Sequence, residues 1–190
     1  RRNAADVTAW SKPRGLNMLL HTAQRIAVRV ALAEADFETA YQAAIGISAP
    51  GHFPRQNVQV GDDMLDLVEA LVNTGRIEEA RAHVAEAVRL NLAEVSPRVA
   101  ALTIAITAMT APDSEAEGLY QSALDHPGIA EFPFERARIT LAHGMWLRRR
   151  LRHTAARAAL GLAAETFDRL GARPWACLLY TSDAADDSLR

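Results

Sequence analysis

Four small residues recur in phase along this chain, and they dictate how its helices can pack. Ala40 in DFETAYQAA, Ala80 in RIEEARAHV, Ala116 in DSEAEGLYQ and Ala156 in RHTAARAAL stand 40, 36 and 40 residues apart. Nine residues before each lies Ala31, Leu71, Thr107 or Leu147; four after lies Ala44, Val84, Tyr120 or Leu160; seven after lies Ile47, Ala87, Ala123 or Ala163. On a helix, positions i, i+4 and i+7 share one face, so each set reads as a buried stripe. The small residue lets the first helix of its own hairpin approach closely. A repeat of this length is one helical hairpin, which cannot bury its face alone and must stack on its neighbours.

Strand signals are nearly absent, and the punctuation between periodic segments agrees with paired helices. Leu16 to about Ala33 carries Leu16, Leu19, Leu20, Ile26 and Val30 at helical spacing, and Phe37 to about Ile47 follows a short Glu34-Ala35-Asp36 turn. Ser48 to Gly61 is a loop rich in proline and glycine; Asp62 or Asp63 is placed to cap Met64 to Asn73, which Thr74-Gly75 ends. Ile77 to about Leu92 is strongly amphipathic. Ser96-Pro97 opens a helix to about Met109 as N-cap and first-turn proline. Asp113 is placed to cap the next, ending near Asp125. Phe134 to Arg150 and Thr154 to Leu170 form the last pair, stopped by Gly171. The expected fold is all-α: a right-handed α-solenoid of about four hairpins, with residues 1–15 an incomplete N-terminal segment and residues 16–176 the repeat domain.

Composition limits the function classes. The chain has 190 residues, 49% of them apolar and 23% charged, which is a globular balance. A net charge of −2 gives no overall electrostatic case for nucleic acid or an anionic membrane. No apolar run reaches membrane length and no leader precedes the repeats, so the expectation is a soluble cytoplasmic protein. Lys12 is the only lysine, and the Arg/Ala excess reads as GC-rich coding rather than selection for function. The start at Arg1-Arg2-Asn3, without methionine, reads as that of a fragment.

Candidate chemistry is sparse. His21, His52, His83, His126, His143 and His153 include no H-E-x-x-H and no cysteine at ligand spacing, so no metal site is expected. Adjacent acids such as Asp62-Asp63 and Glu78-Glu79 do not face each other on a helix; they suit the positive end of a helix dipole. No catalytic residue is assigned. Arg148, Arg149 and Arg150, with Arg152 and Arg157, form the one basic cluster. It is a possible contact patch for DNA phosphates beside a neighbouring domain or for an ATPase domain, against the plainer reading of a cationic helix end. Trp146 is expected to pack between hairpins and Trp175 to close the last repeat.

The hairpin pattern resembles tetratricopeptide-type repeats, with Gly144 and Ala156 nearest the small positions of that consensus. Met64 to Val84 (MLDLVEALVNTGRIEEARAHV) and Phe132 to Ala176 are more specific. The phrases Phe134-Glu135-Arg136-Ala137-Arg138, Trp146-Leu147-Arg148-Arg149 and Thr166-Phe167-Asp168-Arg169-Leu170-Gly171-Ala172 resemble the helical-repeat region of large bacterial ATP-binding regulators of the LuxR type, the class that includes the maltose regulator. That resemblance covers most of Leu16 to Ala176. It implies a sensor region between an upstream ATPase domain and a downstream helix-turn-helix that binds DNA. It also implies a small-molecule effector or protein partner, or self-association, and contacts with the parent's own ATPase and DNA-binding domains. No G-x-x-x-x-G-K-[ST] loop is present, so ATP belongs to the parent and no cofactor, nucleic acid, membrane or enzymatic activity is assigned to this stretch. A stand-alone repeat adaptor is the alternative. An enzyme built on such a scaffold is the third class, without a clustered acid/base or nucleophile pair to support it.

The segment ACLLYTSDAADDSLR departs from all of this. Reverse-translated, Cys177 to Asp186 fits a transposase-type sequencing-library adapter read in frame, and the remaining bases GA allow only Asp or Glu, as at Asp187. Residues 177–190 are therefore expected to be a non-native tail that packs poorly, with the native chain departing at about Ala176 or Cys177. The chain's only cysteine then carries no chemistry.

Overall fold

The structure, a computed structural model, describes residues 2–54 and 59–177. Among the described residues all regular structure is helical, and the chain divides between Asn91 and Leu92 into two compact units. No helix among them is long and apolar enough to cross a membrane.

The first unit contains α1 (Arg2–Ser11), a 3-10 turn (Lys12–Arg14), and two hairpins: α2 (Asn17–Ala33) with α3 (Phe37–Ala44), and α4 (Val60–Asn73) with α5 (Ile77–Arg89). Helix α1 packs on α2, and α3 packs on both α2 and α4. The second unit pairs α6 (Pro97–Thr110) with α7 (Asp113–Asp125), and α8 (Pro133–Arg149) with α9 (His153–Arg169). A 3-10 turn at Pro127–Ile129 packs against α6, and α7 packs against α8.

The alanine register lies where close helix approach requires it. Ala40, Ala80 and Ala116 are 0% exposed and Ala156 is 2% exposed. The positions four and seven residues later are buried in every hairpin. A Cβ on Gly144 would lie 2.8 Å from Leu160 Cγ, which is why α8 and α9 can pack so closely only with glycine there.

Three of the hairpins turn in the same way. Asp36 N–H donates to Ala31 O (2.9 Å) while Ala35 N–H donates to Leu32 O (3.1 Å); Arg76 and Gly75 repeat this on Leu71 and Val72, and Arg152 and Leu151 on Leu147 and Arg148. These paired bonds satisfy the last carbonyls of the first helix, and they put the residue at the turn in the left-handed region. Gly75 takes that conformation without steric cost, but Ala35 (φ 56°) and Leu151 (φ 59°) do not. Leu151 is also 76% exposed, so its side chain contributes little burial in return. Leu151→Gly is expected to stabilise the second unit by about 1 kcal/mol, and Gly75→Ala to cost the first unit a similar amount. Urea unfolding of the two variants checks the opposed signs.

Polar contacts one repeat apart set the stacking of adjacent hairpins within each unit. In the first unit Arg25 holds Asp63 bidentately (2.7 and 2.8 Å), Arg29 reaches Asp66 (3.3 Å) and Arg76 holds Glu38 (2.8 Å). In the second, Arg98 pairs with Glu135 (2.6 Å), Arg152 with Glu117 (2.6 Å), and Arg150 with Asp113. Asp63 and Asp66 are almost wholly buried, so these arginines neutralise charge that the packing would otherwise leave uncompensated. The exposed pairs contribute direction more than stability.

Several local expectations are corrected. Helix α4 starts at Val60, four residues before Met64, so Asp62 and Asp63 lie in its first turn and bind arginines of α2 instead of capping. Asp113 is likewise inside α7, after Pro112, and its carboxylate faces Arg150. Helix α3 ends at Ala44 rather than Ile47. The apolar stripe read on α2 is not its buried face: Leu16, Leu19 and Ile26 are exposed, whereas Ala23, Val28, Ala31 and Leu32 are buried. The buried face combines the small Ala23 and Ala31 with Val28 and Leu32, and leaves Leu19 and Ile26 outside. Ser96 caps α6 as expected, its Oγ accepting from Val99 N–H at 3.2 Å.

Candidate functional site

A concavity in the first unit lies between α1, α2 and α3, with a volume of about 420 Å³. Its floor is built by Ala23, Ala27 and Val30 of α2 and Ala43 of α3; Thr8, Gln24 and Thr39 supply the polar atoms. Among the described residues no charged side chain lines it. Thr8 already donates to Ala4 O (2.8 Å) within α1, leaving its oxygen as an acceptor towards the groove. The Gln24 amide lies over the end of α3, its Nε2 3.0 Å from where a Cβ on Gly46 would stand. A groove of this size and polarity can bind a small molecule by burial, with a few hydrogen bonds to orient it.

A second feature of the same unit is the segment that follows α3. Gly51, with φ +72°, turns the chain so that its N–H donates to His83 Nδ1 at 3.1 Å. Phe53 then stacks on the imidazole, with centroids 4.2 Å apart and planes at 23°. Ser48 Oγ donates to His52 O and closes the turn. His83 is fully buried, and because Nδ1 accepts, Nε2 carries the proton; among the described residues Nε2 has no partner. Burial pushes the His83 pKa down to about 4, opposed only weakly by the charge of Glu86.

His143 sits in a different setting in the second unit, stacked on Tyr120 (5.0 Å, 19°) and Trp146 (6.1 Å) between α7 and α8. Burial lowers its pKa; Glu117 acts in the opposite direction and Arg152 adds to the lowering. Trp146 thus packs between hairpins, as the sequence implies. Trp175 packs on Phe134 (5.5 Å) and Phe167 (5.6 Å), with the Arg138 guanidinium 5.0 Å from its ring centroid, and so covers the far side of the α8/α9 hairpin. The remaining histidines do not converge: among the described residues no group of three His, Cys, Asp or Glu side chains is arranged to hold a metal.

Two of the five arginines of the candidate patch are paired with acids. Arg150 and Arg152 are paired with Asp113 and Glu117 of the preceding hairpin. Arg148 is half-buried, with Nη2 3.2 Å from Met145 Sδ. Arg149 and Arg157 are exposed. Glu78 is bound to Arg81 at 2.7 Å, and Glu79 accepts from Tyr41 Oη at 3.3 Å, so the adjacent acids serve helix and hairpin contacts. Cys177 is exposed; the other residues of the expected tail, 178–190, lie outside the described residues.

Neither the groove nor the buried histidine stands out in the sequence. Ala23, Ala27 and Ala43 look like ordinary helix formers, and His83 is covered by a loop some thirty residues before it. The available signal was the repeat register itself, compared position by position. Compared with known families, curated proteins and solved structures, the chain has no significant match to any of them.

Proposed function

We propose that the chain is part of the helical-repeat sensor and interaction region of an ATP-dependent LuxR-type transcriptional regulator. In this reading the hairpins belong to a right-handed α-solenoid of tetratricopeptide-like repeats in the cytoplasm. They bind an effector or a partner protein and pass the signal to a DNA-binding domain downstream, with ATP bound by a domain upstream and no catalysis in the repeats. An effector acts by binding one packing arrangement of the hairpins better than another, which shifts the population of the whole region. The observation that supports this best is the four-fold register. Ala40, Ala80, Ala116 and Ala156 are all buried at helix contacts, and polar pairs tie hairpins one repeat apart.

The extended genomic reading frame tests it. It is expected to encode a phosphate-binding loop of the G-x-x-x-x-G-K-[ST] type upstream and a helix-turn-helix downstream, and to continue past Trp175 without the Cys177 to Asp187 segment. A frame that opens and closes with polar capping helices, and encodes neither domain, would make the protein a stand-alone adaptor. A frame that encodes Cys177 to Asp187 in place would make that segment native.

A further inference from the structure

The groove between α1, α2 and α3 is a departure from the repeat and not a void common to every hairpin. The register aligns Ala27 with Leu67, Thr103 and His143. It aligns Ala23 with Asp63, Val99 and Ile139, and Ala43 with His83, Leu119 and Ala159. Ala27 and Ala23 are the smallest residues of their sets, and Ala43 shares that place with Ala159. In the second hairpin the corresponding space is filled: Leu67 is 1% exposed, and His83 is covered by Phe53. The first hairpin has truncated side chains at all three positions, and the result is a concavity of about 420 Å³.

The lining defines what fits. Ala23, Ala27, Val30 and Ala43 present methyl groups only, so most of the contact surface rewards apolar area. The polar atoms belong to Thr8, Gln24 and Thr39, which are uncharged and offer both donors and acceptors. The charges of α2, Arg25 and Arg29, are held on its other side by Asp63 and Asp66. Against these described residues a charged ligand would lose its hydration without gaining a counter-ion, at a cost of several kcal/mol. The volume lies in the range of small-molecule sites, roughly 300–1,000 Å³. We infer that this groove binds a neutral, predominantly apolar small molecule, oriented by hydrogen bonds to Gln24 and Thr39. The inference rests on the effector-sensing reading for its biological use but not for its chemistry.

The test uses two dyes that differ by one sulfonate: the neutral N-phenyl-1-naphthylamine and the anionic 1-anilinonaphthalene-8-sulfonate. Each is titrated into the full chain while fluorescence is followed. The neutral dye is expected to saturate at one molecule per chain, and the anion to bind at least about tenfold more weakly. Ala27→Leu imports the residue that the second hairpin already holds at this position, and it is expected to weaken the neutral dye about tenfold or more. Ala43→Leu, which imports the residue of the third hairpin, provides the same loss by a second route should the first variant melt early. Ala85→Leu, on the exposed face of α5, adds equal apolar area elsewhere and is expected to change nothing. No saturable binding of the neutral dye overturns the proposal, as does binding unaffected by both filling variants. Equal affinity for the anion overturns the ligand class. The reading frame decides the regulator assignment independently, so a failure of one is distinguishable from a failure of the other.

Discussion

Gly128→Ala is expected to destabilise the second unit by about 3 kcal/mol or more, among the largest effects available to a single added methyl group. Gly128 lies in the 3-10 turn Pro127–Ile129, and its backbone runs directly against the start of α6. A Cβ there would overlap the Pro97 carbonyl group and stand 2.8 Å from Arg98 N. Those atoms cannot move aside cheaply. Pro97 has a fixed φ at the first turn of α6, and Ser96 caps that turn through Val99 N–H. On the other side Gly128 N–H donates to His126 Nδ1 at 3.0 Å, and the next residue, Ile129, is fully buried. Either the turn or the helix start must shift and expose Ile129. Gly118→Ala serves as the opposed control: it lies in α7 with open space around the new methyl group, so helix propensity predicts a gain of about 0.5–1 kcal/mol. Thermal and urea unfolding followed by circular dichroism read both. A Gly128→Ala variant that unfolds within a few tenths of a kcal/mol of the parent would show that the close approach is not a constraint.

What was legible in the sequence follows from where the determining contacts lie along the chain. Helix pairing was legible because its signals are local. A small residue with apolar partners at i+4 and i+7 identifies a buried face, and Gly75, Gly171 and Ser96 mark ends through their own backbone chemistry. The face of α2 was misread because it has apolar residues on more than one side: Ala23, Val28, Ala31 and Leu32 face the packing, and Ile26 and Leu19 lie outside. Helix α1 has no comparable stripe, and its place becomes apparent only against α2. The acids that pair with Arg150 and Arg152 in the arginine cluster, Asp113 and Glu117, were not legible because they come from the previous hairpin. The buried pair Arg25–Asp63 was missed for the same reason, its partners being 38 residues apart. The groove required both scales: the register supplied the comparison, and only the packing showed that three truncated side chains face one space.

Stability of the first unit is expected to fall as pH drops from about 6.5 towards 4, and His83 is the cause. In the unfolded chain its imidazole titrates near 6.5; in the folded state burial lowers that to about 4. Between those values the unfolded state binds the extra proton and the folded state does not, so acid favours unfolding. The contribution is fully present above pH 6.5 and lost progressively below it, to a total of about 3 kcal/mol by pH 4. The structural reason is specific. A second proton must go to Nδ1, the atom that accepts from Gly51 N–H, so protonation removes the bond that ties the Ser48 to Pro54 segment down while placing a charge beneath Phe53. Glu86 is the nearest acid acting on the imidazole, but its carboxylate is already held by Arg89 through two contacts of 2.6 Å. His52, also close to Glu86, is exposed. His83→Gln keeps an acceptor for Gly51 but cannot titrate. Its unfolding free energy is expected to lack the drop between pH 6.5 and 4.5 that the parent shows, measured by urea unfolding of the full chain. The carboxylates of Glu38, lowered by hydrogen bonds from Gln42 and Arg76, and Glu86, lowered by Arg89, keep their stabilisation above the ordinary carboxylate value of 4.5 and lose it only as pH falls from there through their own depressed values. The same slope in parent and variant would exclude the buried imidazole as the acid-sensitive group.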